Sequence, residues 1–146
     1  MRKFSICRGY EDAGVVLPKR STRSSAGYDF SSLEDYSLKP GECHVFQTGV
    51  KAQMEEEDVL YIFIRSSMAI KRGLKLCNSV GVIDADYFGN PSNDGHIMIA
   101  IFNSSSEVAS IRKGDKIAQG IFMKYEKTDD DDASLERVGG TGSTGR

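Results

Sequence analysis

Apolar positions come in short bursts along the chain, each closed by glycine or a charged turn. Residues 50–54 alternate apolar and polar, as a strand with one buried face does. Residues 59–64, 97–102 and 117–123 are near-continuous apolar runs, which predict strands covered on both faces. Val80, Val82 and Ile83 form a shorter β-branched run that predicts another buried strand. Turn formers at 39–42 and 112–115 separate the runs. Many short strands at this spacing predict an all-β fold, a jelly roll or distorted β-barrel. One helix is expected, residues 66–71, with Ser66 or Ser67 as its N-cap. From Asp129 the pattern dissolves into an acidic run and then a glycine-rich end at 139–145, which predicts an unordered tail.

The 146 residues fit one domain. At 39% hydrophobic and 27% charged, the composition is that of a soluble globular protein. A net charge of -2 argues against non-specific nucleic-acid binding, which needs a basic face. No apolar run approaches the ~18 residues of a membrane span, and the first residues lack a long signal-type apolar region. Cys7, Cys43 and Cys77 are odd in number and widely spaced, and His44 and His96 are the only histidines. That argues against a zinc site or disulfide framework. All three cysteines are expected as buried small hydrophobes in a reducing, cytoplasmic setting.

The chemistry concentrates in Asn78-Ser79-Val80-Gly81-Val82-Ile83-Asp84-Ala85-Asp86-Tyr87-Phe88-Gly89. Period two would put Asp84 and Asp86 on one face and Tyr87 on the other. An apolar strand ending in an acid can hold a general base beside a reacting water; an ordinary acidic turn would look the same. Arg65-Ser66-Ser67 at a helix start offers hydroxyls, backbone N–H groups and a guanidinium, equipment for an anion or simply a cap. Gln119, polar inside an apolar strand, needs a partner if buried. The glycines after Arg137 allow close backbone approach to phosphate, or a flexible tail.

Five stretches in order resemble the motifs of the trimeric dUTP pyrophosphatase (dUTPase) family. They are Ser25-Ala26-Gly27-Tyr28-Asp29-Phe30, Ile64-Arg65-Ser66-Ser67-Met68-Ala69, the central stretch above, Lys113-Gly114-Asp115-Lys116-Ile117-Ala118-Gln119, and the arm from Arg137 to Gly145. The resemblance implies a homotrimer of jelly-roll subunits, residues 1–125, with a mobile C-terminal arm, residues 126–146, closing over a site built by neighbouring subunits. It implies hydrolysis of dUTP to dUMP and pyrophosphate. Asp84 would activate the water that attacks the α-phosphorus. Arg65, Ser66, Ser67 and Gln119 would hold phosphates. A hairpin of Gly81, Val82 and Ile83 with a return strand carrying Met98 would read uracil, helped by Asn78, and Tyr87 would exclude a 2′-hydroxyl.

In the arm, Arg137, Gly140, Thr141, Gly142, Ser143 and Thr144 would close on the substrate. Mg²⁺ would ride on the triphosphate and its waters, with Asp29 reaching it through water or serving structure alone. The chain departs from the family pattern in Ile64, where Gly or Pro is common, and in Thr141, where a stacking Phe is usual. Arg137 stands one residue closer to the glycine pair. An insertion at 90–95 is absent from many members. The rival readings are a regulatory module that binds a repressor protein, with the insertion as its surface, and a dCTP deaminase. The deaminase uses a glutamate near the base, and no Glu lies between Leu76 and Ser106.

Overall fold

The computed structural model describes residues 1–140. Its strands, numbered in chain order, form two main antiparallel sheets. The first has the order β1 (Lys3–Ile6), β5 (Cys43–Gln53), β9 (Ile97–Asn103), β7 (Leu74–Leu76). The second has the order β2 (Lys19–Arg20), β3 (Tyr28–Ser31), β11 (Lys116–Lys124), β6 (Asp58–Ile64), β8 (Gly81–Asp84). A two-stranded ribbon joins β4 (Tyr36–Leu38) to β10 (Ala109–Ile111). The all-β expectation holds at this level, with one short helix, α1 (Ser66–Arg72).

Phe30, Phe46, Leu60, Ile99 and Ile117 are buried in one core. Strand β9 alternates: Ile97, Ile99 and Ile101 point inward, while Met98, Ala100 and Phe102 stay half-buried. Its continuous apolar run therefore does not mean two covered faces, because the outer face lines a cavity. Val80 and Val82 correct the expectation of a buried strand more sharply. They are 37% and 57% exposed, because β8 is the edge of its sheet and pairs with β6 alone. Gly81 is its buried point: a Cβ there would lie 2.9 Å from the Cβ of Ile62.

Three further expectations change. Neither serine caps α1. Arg65 holds the N-cap position without a side-chain bond, so Ser66 and Ser67 sit exposed in the first turn, and Gly73 closes the helix at φ 64°. Strands β8 and β9 do not form a hairpin, since they belong to different sheets. Cys43 and Cys77 are both exposed and form a disulfide. The pairing was invisible in a separation of 34 residues. It arises because Cys43 opens β5 and Cys77 follows β7, the two strands that flank β9. Only Cys7 remains a buried free thiol, pushed up to about 11 mainly by burial.

Candidate functional site

Where β8 and β9 part, a cavity of about 480 Å³ opens between them, within the range of small-molecule sites. Gly81, Val82 and Ile83 form one wall and Met98, Ile99 and Ala100 the other. Both walls carry unused backbone. Among the described residues the outer edge of β8 has no strand partner. Strand β7 stops at Leu76, opposite Ile101, so β9 below Ala100 is also uncovered on that side. An open edge of N–H and C=O groups can pair with any planar ligand that carries amide-like donors and acceptors. Asn78 lines the same cavity.

Asp84 ends β8 at the cavity rim, 52% exposed. Ala85–Tyr87 then turn as a short 3-10 segment. The turn interrupts the strand period, yet Asp84 and Asp86 still face together, because one guanidinium bridges them. Arg137 donates from Nη2 to Asp84 Oδ2 at 2.5 Å and from Nε to Asp86 Oδ1 at 2.7 Å. The bond to Asp86 is the main reason its guanidinium holds its proton more tightly than usual. Tyr87 is 8% exposed. Its hydroxyl donates to the His96 carbonyl at 2.7 Å, and burial pushes its phenol up. Gly140 reaches the cavity from the arm. Thr141, Gly142, Ser143 and Thr144 lie outside the described residues.

A second pocket holds the other expected group. Arg65, Ser66, Ser67 and Gln119 line it with Asp29 and Ser21. Asp29 aims the guanidinium: Arg65 Nε lies 3.2 Å from Oδ1, with Lys116 Nζ and Ser21 Oγ at 3.3 and 2.7 Å from Oδ2. Gln119 makes one long contact, 3.5 Å from Nε2 to the Ile64 carbonyl, so its amide is poorly held and can turn to a ligand. Gly27 is needed beside it, since a Cβ there would fall 2.3 Å from Gln119 Oε1.

The two pockets share no residue among those described. Strand β6 measures their separation. Asp84 pairs with Val59, and Arg65 follows Ile64 at the strand's far end. Six residues at 3.3 Å each put the two backbones roughly 20 Å apart.

The residues missed in the sequence are Ser21, His96, Asn90 and Asn93. His96 lies at the cavity base, 5% exposed, its Nε2 accepting from Gly49 N at 2.9 Å. A histidine directly ahead of an apolar strand was its only signal. Ser21 and the two asparagines had none beyond polar loop composition.

An all-β fold with a slot between two strand edges, a carboxylate at its rim and a separate pocket lined by Arg65, Ser66 and Ser67 suits the class of nucleotide-binding hydrolases. The chain belongs to the dUTPase family, whose model matches residues 14–145. It is similar to the deoxyuridine 5'-triphosphate nucleotidohydrolase of Lactococcus lactis, 46% identical over 99% of this chain and 98% of that protein. The crystal structure of dUTPase from Streptococcus mutans matches with a TM-score of 0.80 at 42% identity, covering 86% of this chain and 98% of that one. The dUTPase of Staphylococcus bacteriophage 80alpha shares the fold, with a TM-score of 0.73 at 21% identity over 94% of this chain and 98% of that one.

Proposed function

We infer that this chain hydrolyses dUTP to dUMP and pyrophosphate. The observation that carries the reading is the slot between the open edges of β8 and β9 with Asp84 at its rim. Uracil is an amide-like ring, and two facing backbone edges can complete its donor and acceptor pattern. Cytosine exchanges a donor and an acceptor relative to uracil and would leave buried groups unpaired, a mismatch worth ~10⁴-fold or more. Size excludes the thymine methyl. The Tyr87 ring packs where the sugar leaves the slot, and so selects against a 2′-hydroxyl.

Asp84 accepts a proton from the water whose oxygen bonds to the α-phosphorus, while the bond from that phosphorus to the bridging oxygen breaks and pyrophosphate leaves with the electron pair. Charge on the phosphates is met by Arg65, Gln119 and the Ser66 and Ser67 hydroxyls. Arg137 joins them after leaving Asp84. The oxygen-rich rim suits Mg²⁺ arriving on the triphosphate, which with water would supply most of its ligands and whose charge the ion would neutralise. Asp29 already holds Arg65 and Lys116, so its part is to aim Arg65.

The assembly follows from the distance along β6. The phosphates leave the slot past Asp84, away from the Arg65 of the same chain. An α-phosphorus beside Asp84 therefore meets the Arg65 pocket of a second copy, which a homotrimer supplies. Exposed apolar residues such as Val16 and Val108 give such contacts something to bury.

The insertion at 90–95 does not favour the repressor-binding reading. Asn90 is 3% exposed, and Asn93 and Asp94 are half-buried, turned toward the chain's own residues. The deciding experiment is pyrophosphate release from dUTP, dCTP, dTTP and UTP side by side. Release from dUTP alone is expected; equal release from dCTP or dTTP overturns the reading.

A further inference from the structure

Residues 90–95 connect the 3-10 turn to β9, and their own side chains build the loop. Asn90 Oδ1 accepts from Ser92 N at 3.0 Å and Ser92 Oγ at 2.7 Å. Asn93 Oδ1 accepts from Gly95 N at 3.1 Å. Asp94 anchors the loop from outside, its Oδ2 taking Lys51 Nζ at 2.7 Å and Arg8 N at 2.8 Å. Gly95, at φ 79°, is pressed so close that a Cβ would lie 2.6 Å from the Tyr87 carbonyl.

This construction has a directional result. Each asparagine engages its carbonyl oxygen inside the loop, which fixes the amide plane and turns the NH₂ group away from it. The Asn90 amide donates to the Gly139 carbonyl of the arm. The Asn93 amide donates to the Tyr87 hydroxyl at 2.7 Å. Asn90 is 3% exposed, and Gly139 is the partner its NH₂ finds. A fixed, buried donor of this kind is costly to leave unmatched. Gly140 continues the contact, where a Cβ would sit 3.3 Å from Asn93 Nδ2 and 3.5 Å from Ser92 Oγ. The Tyr87 hydroxyl has one proton, already given to His96, so it accepts from Asn93 and both ends of its bonding are fixed.

We propose that the 90–95 loop is part of the nucleotide site: Asn90 is the seat of the C-terminal arm and Asn93 the positioning residue that fixes Tyr87. Arm closure and sugar selection then rest on one rigid loop. The proposal rests on the dUTP-hydrolase reading for its activity arm and on geometry alone for its second arm.

Two measurements test it. The first is the ratio of kcat/KM for dUTP to that for UTP. Asn93→Ala should lower the ratio about two- to ten-fold, the value of one hydrogen bond. In a Tyr87→Phe background the same change should do less than half as much, because the bond is already gone. A full, undiminished effect there would mean that Asn93 acts by another route and overturns the proposal. Should Asn93→Ala fail to fold, Tyr87→Phe breaks the same bond from the other side and must lower the ratio similarly.

The second measurement needs no activity. Trypsin should cut after Arg137, which is docked, slowly, and after Lys127, which is exposed, quickly. Asn90→Ala should speed initial cleavage after Arg137 several-fold and leave Lys127 unchanged, read by mass spectrometry on the full chain. An unchanged Arg137 rate overturns the seat, and an unchanged dUTP to UTP ratio in both Asn93→Ala and Tyr87→Phe overturns the Tyr87 role. If the unaltered chain releases no pyrophosphate from dUTP, the functional reading falls, while the trypsin measurement still decides the seat.

Discussion

The Arg137 guanidinium lies on the Asp84 carboxylate, Nη2 to Oδ2 at 2.5 Å. An arm cation and the acid proposed to activate water are thus paired with each other. On the proposed mechanism a triphosphate takes Arg137 from Asp84, and that exchange frees the carboxylate as the phosphates arrive.

Asp84→Asn separates the two roles. Turnover should fall by ~10²–10⁴, the usual contribution of a positioned base. Binding should not weaken, because an uncharged Asn releases Arg137 to the phosphates. Calorimetric titration with a non-hydrolysable dUTP analogue checks the second half. An affinity loss above ten-fold would mean that the carboxylate itself holds substrate.

His96 makes stability depend on pH. Burial lowers its pKa, with the Tyr10 ring 4.7 Å away between centroids, the Tyr87 hydroxyl on its backbone carbonyl and its Nε2 accepting backbone protons from Thr48 and Gly49. Above the unfolded value of ~6.5, neither state carries the proton. Below it the unfolded chain binds a proton that the folded chain refuses, so stability falls with pH down to the lower folded value. Asp58, held below its ordinary value first by the hydrogen bond from Arg2, loses its contribution only further into acid. The chain should therefore lose more Tm between pH 6.5 and 5 than His96→Gln, whose side-chain oxygen can still accept from Gly49. Equal losses would place the acid sensitivity elsewhere.

The long strands were legible because burial writes itself into long apolar runs: β6, β9 and β11 all stand where such runs predict them. The short ones were not. Strands such as β2, two exposed basic residues, exist through pairing with neighbours and carry no periodicity of their own. The site divided in the same way. Asp84, Arg65 and Gln119 were found through motif order, and the structure puts them at pocket walls. The error about β8 came from reading β-branched residues as buried, when that strand leaves its edge open beside a cavity. Asn90 and Asn93 read as turn formers because their value lies in which way a fixed amide points, and sequence does not carry direction.

The Cys43–Cys77 bond closes a 34-residue span. In the chain-entropy account a loop of that size is worth about 3–4 kcal/mol. A reducing agent should therefore lower Tm by several degrees, and Cys43→Ser should abolish that response. Thiol titration of the denatured, unreduced protein should find Cys7 alone. Three thiols there, with a Tm blind to reductant, would show that the bond does not form in the protein as isolated.

The last prediction concerns sharing of the site between copies. Asp84, which ends β8 opposite Val59, and Arg65, which follows Ile64, stand at opposite ends of β6, roughly 20 Å apart by strand rise. One triphosphate cannot meet both within one chain. Arg65→Ala keeps a sound slot and acid, and Asp84→Asn keeps a sound phosphate pocket. Each alone should be nearly inactive. Co-refolded one to one, random trimers should place a sound acid against a neighbour's sound Arg65 in about a quarter of sites, since each interface joins two different surfaces head to tail. Activity should return to about that fraction of the unaltered protein, with mixed trimers verified by native mass spectrometry. If the mixed trimers stay as inactive as both parents, acid and phosphate pocket act within a single chain, and the strand-distance argument for a shared site is wrong.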